Sequence, residues 1–165
     1  MSDNPMPKAG PEHYLLAPFE GKFRSIVKIW MGPGEPITTT GIMTNTFQLG
    51  GLYLHQDYVG DATGGPFPAF CGKGYWGYNP FTKKYEGFWI DNASSMMQME
   101  QGTVDATSKI WTMHSEFVHP QSGQCMKKVS VITLIDNDHH SMTSDFMSQD
   151  GKPFRAMELA YNRIQ

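Results

Sequence analysis

Apolar and polar positions alternate along much of this chain. From Lys22 to Met31, Phe23, Val27, Ile29 and Met31 share one face, while Lys22, Arg24 and Lys28 share the other. That period of two marks a strand with one buried side. Trp111, Met113 and Phe117 oppose Thr112, His114 and Glu116 in the same way, and Met157, Leu159 and Tyr161 oppose Glu158 and Asn162. Met97 and Met99 read as the core pair of another strand. Turn-forming clusters break the chain at short intervals, among them Gly32-Pro33-Gly34, Gly50-Gly51, Asn79-Pro80, Asp91-Asn92, Asp136-Asn137-Asp138 and Asp150-Gly151. The pattern predicts ten strands, over 22–31, 37–49, 52–59, 67–78, 84–91, 95–103, 109–118, 124–135, 140–147 and 154–164. Short strands joined by tight turns form an antiparallel meander, and closure removes its two exposed edges. The expected fold class is therefore all-β: an up-and-down antiparallel meander closed into a barrel of eight to ten strands.

Three strands alternate less cleanly. Phe70, Trp76 and Tyr78 oppose Phe67 and Tyr75, while Phe88 and Ile90 oppose Tyr85 and Trp89. Two readings stand: aromatic contacts outside the barrel, with a helix or a second copy of the chain, or a register shifted by a bulge. Glycines at 72, 74, 77 and 87 suit bulges or sharp curvature. Ahead of the strands, residues 1–10 read as a flexible segment and 11–165 as a single barrel domain. Gly10-Pro11-Glu12-His13 opens a short helix, with Pro in the first turn and an acid at the positive dipole end. Pro18 stops it early, so the segment is expected to lie across one barrel end as a lid.

Composition narrows the partners. The 165 residues carry a net charge of -3, without the basic face a nucleic-acid partner requires. No run approaches the roughly 20 apolar residues of a membrane-spanning helix, so no membrane partner is expected. The first residues lack the charged start and apolar core of a signal peptide, and the expected location is cytoplasmic. Cys71 and Cys125 fit two free thiols there; a disulfide between them is the alternative. Gly-x-Ser-x-Gly, His-Glu-x-x-His and a phosphate-cradling loop between strand and helix are all missing.

Several segments are familiar in combination: Gly10-Pro11-Glu12-His13, Gly21-x-Phe23, Leu49-Gly50-Gly51-Leu52-Tyr53-Leu54, Gly77-Tyr78-Asn79, Trp89-Ile90-Asp91, and the closing Asp150-Gly151-Lys152-Pro153-Phe154 with Met157-Glu158 and Tyr161-x-Arg163. Together, from about Gly10 to the C-terminus, they resemble the bacterial family called domain of unknown function 1579, whose members look like lipocalin-type (calycin) barrels. The resemblance implies that fold and, by analogy with other calycins, a small guest in the lumen. One departure stands out, since calycins commonly carry Trp where this chain has Phe23.

Candidate ligand contacts are Trp89, Asp91, Arg155, Tyr161 and His55. Trp89 and Asp91 share a face, so an aromatic wall and a carboxylate meet at a strand end; Asp91 also suits capping of the following turn. Arg155 falls on the face of Met157, Leu159 and Tyr161, where an unpaired charge is costly, so it pairs inside or reaches solvent at the rim. His55 and Asp57 share a face with Tyr53 and read as a proton-transfer pair, half a metal site, or simply exposed. His13 is expected to fix the lid, and His139-His140 to lie in a turn with Asp136 and Asp138. Twelve methionines suit an adaptable pocket or an irregular core. The leading function is binding of a small hydrophobic or amphipathic molecule inside the barrel, with no cofactor identified. A barrel using an inward His or carboxylate for catalysis or haem, and a filled barrel that pairs with a second copy, are the alternatives.

Overall fold

The computed structural model describes residues 6–62, 69–119, 122–147 and 150–165. Residues 1–5 of the expected lead-in and residues 63–68, with the start of the strand expected at 67, lie outside the described residues. Ten strands form: β1 (Gly21–Ile29), β2 (Ile37–Gln48), β3 (Tyr53–Gly60), β4 (Cys71–Asn79), β5 (Lys84–Asp91), β6 (Gln98–Val104), β7 (Ile110–Val118), β8 (Cys125–Leu134), β9 (His139–Met147) and β10 (Pro153–Ile164). Each pairs antiparallel with its chain neighbours, and β1 closes the ring on β10. At the seam Phe23 stands opposite Arg163, Ser25 opposite Tyr161 and Val27 opposite Leu159.

One barrel end is plugged by the chain's own start. Helix α1 (Pro11–Tyr14) is followed by a 3-10 turn over Ala17–Phe19. His13 does not bond a strand: its Nδ1 accepts from the Gly10 N–H at 3.1 Å, and its ring meets Tyr78 edge-on. The Tyr85 hydroxyl donates to the Glu12 carbonyl at 2.9 Å, tying helix to wall. Leu16 and Phe19 are 0% and 2% exposed. They join Leu54, Trp76, Tyr85, Trp111, Met113 and Ile132 in one cluster. Phe19 meets Trp76 and Trp111 edge-on at 5.7 and 5.2 Å, the arrangement that aromatic quadrupoles favour.

Arg163 locks the plug down. Its guanidinium donates to the carbonyls of Pro18, Glu20 and Asn137 and lies 4.5 Å from the centroid of the Phe23 ring. Gly21 makes this possible. Its φ of 127° suits glycine, and a Cβ there would collide with that guanidinium. Phe23, where calycins commonly carry Trp, thus serves as the flat surface under the lock.

β10 carries a bulge between Arg155 and Met157. The additional residue, Ala156, is buried and accepts the Trp30 N–H through its carbonyl. One inserted residue flips every side chain beyond it to the other face. Arg155 therefore does not share the face of Met157, Leu159 and Tyr161; it sits on the outer wall, bonded to Asp145 and Glu158.

The ambiguous aromatic strands resolve as outer contacts. His55, Tyr75, Phe88 and Met99 face outward and stand in direct cross-strand register over β3 to β6. His55 and Tyr75 have ring centroids 4.9 Å apart, and Tyr75 and Phe88 5.6 Å. Helix α1 contacts Tyr78 and Tyr85 at the barrel end instead. Met97 and Met99 are not a core pair, being 62% and 58% exposed. The inward positions of β6 are Gln98, Glu100 and Gly102, so polarity reverses the expected face. Cys71 and Cys125 are exposed free thiols.

Candidate ligand chamber

The ends of β1, β3, β5, β7 and β9 and the starts of β2, β4, β6, β8 and β10 all lie opposite the plug. At this mouth, the inward side chains are only half-buried: Trp89, Phe117, Met126, Phe146 and Met157. Phe146 meets Phe117 and Phe154 edge-on at 5.4 and 5.7 Å. Trp89 lies flat over Gly72, where a Cβ would run into the indole. Its Nε1 donates to Asp91 Oδ2 at 3.1 Å. Asp91 Oδ1 accepts from the N–H groups of Ala93 and Ser94. The carboxylate thus caps the turn, one of the two roles weighed for it, and also holds the Trp89 indole.

Below the mouth the lining turns polar. Ser130 and Ser144 face each other across β8 and β9 with hydroxyls 3.0 Å apart. Glu100 and Lys128 project inward from β6 and β8; Lys128 Nζ lies 3.8 Å from Glu100 Oε2 and donates to Gln98 Oε1 at 3.2 Å. Burial raises the Glu100 carboxyl above its ordinary value, and the Lys128 charge opposes that rise. Between this pair and the plug lies a cavity of about 50 Å³, lined by Phe19, Met43, Asn45, Gln56, Trp76, Glu100, Ile132, His140, Met142 and Tyr161.

His140 is the residue that sequence reading misplaced. His139 behaves as a turn residue, its Nδ1 bonded to Asp136 at 2.8 Å. His140, one position on, points inward and is 6% exposed. It stacks on Tyr161 with centroids 4.4 Å apart and planes 16° from parallel. Phe23 and Phe19 close on its ring edge-on at 4.6 and 5.0 Å. Burial pushes its imidazole down to about 3, with the Arg163 charge adding to the effect. Burial likewise raises the Tyr161 hydroxyl above its ordinary value. Both are therefore uncharged at neutral pH.

Asn45, inward on β2 and 1% exposed, spends its amide on the Phe19 carbonyl at 2.8 Å, which anchors the plug. Its Oδ1 is buried without a hydrogen-bond partner, and so is Trp76 Nε1. Buried polar atoms normally find partners, and both of these residues line the cavity.

Of the residues singled out from sequence, the structure brings Trp89 and Asp91 together at the mouth and sets Tyr161 on the inner cavity. Arg155 and His55 are on the outer wall. His55 packs on Tyr75, while Asp57 pairs with Lys73 instead. Asn45, Glu100 and Lys128 were not singled out, and His140 was assigned to a turn, because period-two reading assigns polar positions to solvent. Among the described residues, no three His, Cys, Asp or Glu side chains converge as a metal site would require, and no helix is long and apolar enough to cross a membrane.

Among solved structures the chain is similar to Rv2717c from M. tuberculosis, at 13% identity and a TM-score of 0.67, covering 96% of this chain and 100% of that one. It is also similar to the S-type phycobiliprotein lyase CPES from Guillardia theta, at 11% identity and a TM-score of 0.66, covering 95% of this chain and 94% of the lyase. No curated protein matches it in sequence. These likenesses carry the fold. The family described as protein of unknown function DUF1579 matches residues 8–163, nearly the whole barrel with its plug, and the chain belongs to that family.

Proposed function

We propose that the barrel binds a small amphipathic molecule, its apolar part at the aromatic mouth and its polar end in the inner chamber. The observation that carries this reading is the division of the lumen. Half-buried Trp89, Phe117, Phe146 and Met157 point inward at the end opposite the plug. Asn45 and Trp76, each with a buried polar atom that has no partner, are among the residues lining a cavity at the closed end. A pocket that is mostly apolar with a few convergent polar groups is how small-molecule sites are built.

Size restricts the guest. A cavity of about 50 Å³ is far below the roughly 300–1,000 Å³ of sites for drug-sized ligands. It takes a head of a few atoms, with Met43 and Met142 as the lining side chains that adjust most easily. Haem does not fit this space, and His140 is already enclosed by three aromatic rings. The reading is of binding, not catalysis.

Trp76, Trp89 and Trp111 all line the interior, so their fluorescence reports on a guest. Titration with eight-carbon amphiphiles of differing head groups is expected to give saturable quenching with at least one of them. Flat titrations across the whole series contradict the reading.

A further inference from the structure

Strand β6 is joined to β7 along only part of its length. Residues 101–104 pair with residues 111–114. Nearer the mouth, residues 98–100 pair with β5 alone and residues 115–118 with β8 alone. On its other side β7 pairs with β8 along all of Ile110–Val118. The break therefore belongs to one seam and not to a frayed strand. Backbone groups along such a slit meet water or a guest instead of a neighbouring strand, and a seam with few inter-strand bonds opens at low cost.

Side chains hold the slit together. Lys128 on β8 stands opposite Ser115 of β7 and reaches past it to β6. There its Nζ donates to Gln98 Oε1 at 3.2 Å and lies 3.8 Å from Glu100 Oε2. Among the described residues, these are the polar side-chain contacts that cross from residues 98–100 to the β7 and β8 side. On the outer surface Glu116 pairs back to Lys127 of β8, while Met97, Met99 and Val118 are exposed at the slit. Its outer lips are thus largely apolar, and its latch is inside. Glu100 also lines the inner cavity, so the latch sits between mouth and chamber.

We infer that the seam between β6 and β7 is a lateral gate, latched by Lys128, through which an amphipathic guest reaches the inner chamber. The inference rests on the proposed binding in the lumen and adds its route and the residue that governs it. The latch must part for entry and again for exit. Its loss therefore speeds both steps, as gating elements do, and changes the equilibrium less.

Stopped-flow tryptophan fluorescence of the full chain with octan-1-ol, octanoate and octylammonium reads both rates, since Trp89 stands opposite Gln98 beside the slit. Lys128→Met with Glu100→Gln removes the latch without leaving a buried charge unpaired. Association and dissociation are both expected to rise about fivefold, the effect of one lost hydrogen bond. Unchanged rates overturn the latch, and so does a change in dissociation alone, which marks Lys128 as a contact of the guest. A second pair of substitutions closes the seam. The register beyond Gln101 and His114 sets Met99 opposite Glu116 on the outer wall. Met99→Cys with Glu116→Cys, combined with Cys71→Ser and Cys125→Ser, permits a disulfide across the slit. Oxidation is expected to slow association about tenfold and reduction to restore it. Equal rates in the oxidised and reduced chain overturn the gate and leave a barrel entered by its mouth alone. If one set of substitutions does not fold, or the disulfide does not form, the other set decides. If none of the three amphiphiles changes the fluorescence of the unaltered chain, the binding proposal falls and the gate with it.

Discussion

His140 carries a clear consequence of burial. It is held neutral down to about pH 3 in the folded chain, while in the unfolded chain an ordinary imidazole takes up a proton near pH 6.5. Between these values the unfolded state binds the extra proton, so stability falls as pH drops through that window. By pH 4 the loss from this residue is roughly 3 kcal/mol. His140→Phe preserves a ring against Tyr161 and cannot titrate. Urea unfolding at pH 7 and pH 4 is expected to show a shallower acid loss in the variant than in the parent. Equal losses in the two contradict a buried neutral imidazole. The strand expected over 140–147 begins at His140 but does not say which way it points; the pairing of β9 with β10, which sets His140 opposite Tyr161, decides that it faces inward.

At the level of elements, the plug and the strands differ in how plainly their residues announce them. Pro11, Glu12 and Pro18 mark a short helix and its end, and the apolar run with Phe19 gives it something to bury. The plug's worth comes from packing, since one helical turn has little stability of its own. Phe19→Ala removes the ring held between Trp76, Trp111 and His140 and is expected to cost about 3–5 kcal/mol in urea unfolding. A loss below about 1 kcal/mol contradicts a plug that is part of the core. Strand β1 was legible because one side is apolar and the other charged. β6 was not, since Met97 and Met99 lie outside and Glu100 inside. β10 was legible from Met157 onward but not across its bulge to Arg155, because nothing in the residues around Ala156 signals one.

For the whole molecule, closure was readable: ten short strands in meander order have two edges to hide, and β1 meeting β10 hides both. The size and polarity of the interior were not readable, because they depend on how ten strands set their inward residues against one another across the lumen. The expectation of a lumen with room for an apolar guest becomes a chamber of about 50 Å³ with both polar and apolar lining. The outer row of His55, Tyr75, Phe88 and Met99 is equally a product of register, since those residues come from four strands.

Methionine-methyl NMR tests the central claim most directly. Met43 and Met142 line the chamber and Met157 faces the mouth, whereas Met31, Met97 and Met99 are exposed on the outside. Titration with the tightest-binding eight-carbon amphiphile is expected to move the Met43, Met142 and Met157 signals saturably and leave Met31, Met97 and Met99 in place. Saturable movement confined to Met97 and Met99, with Met43 and Met142 still, places the guest on the outer wall and contradicts a ligand-binding lumen.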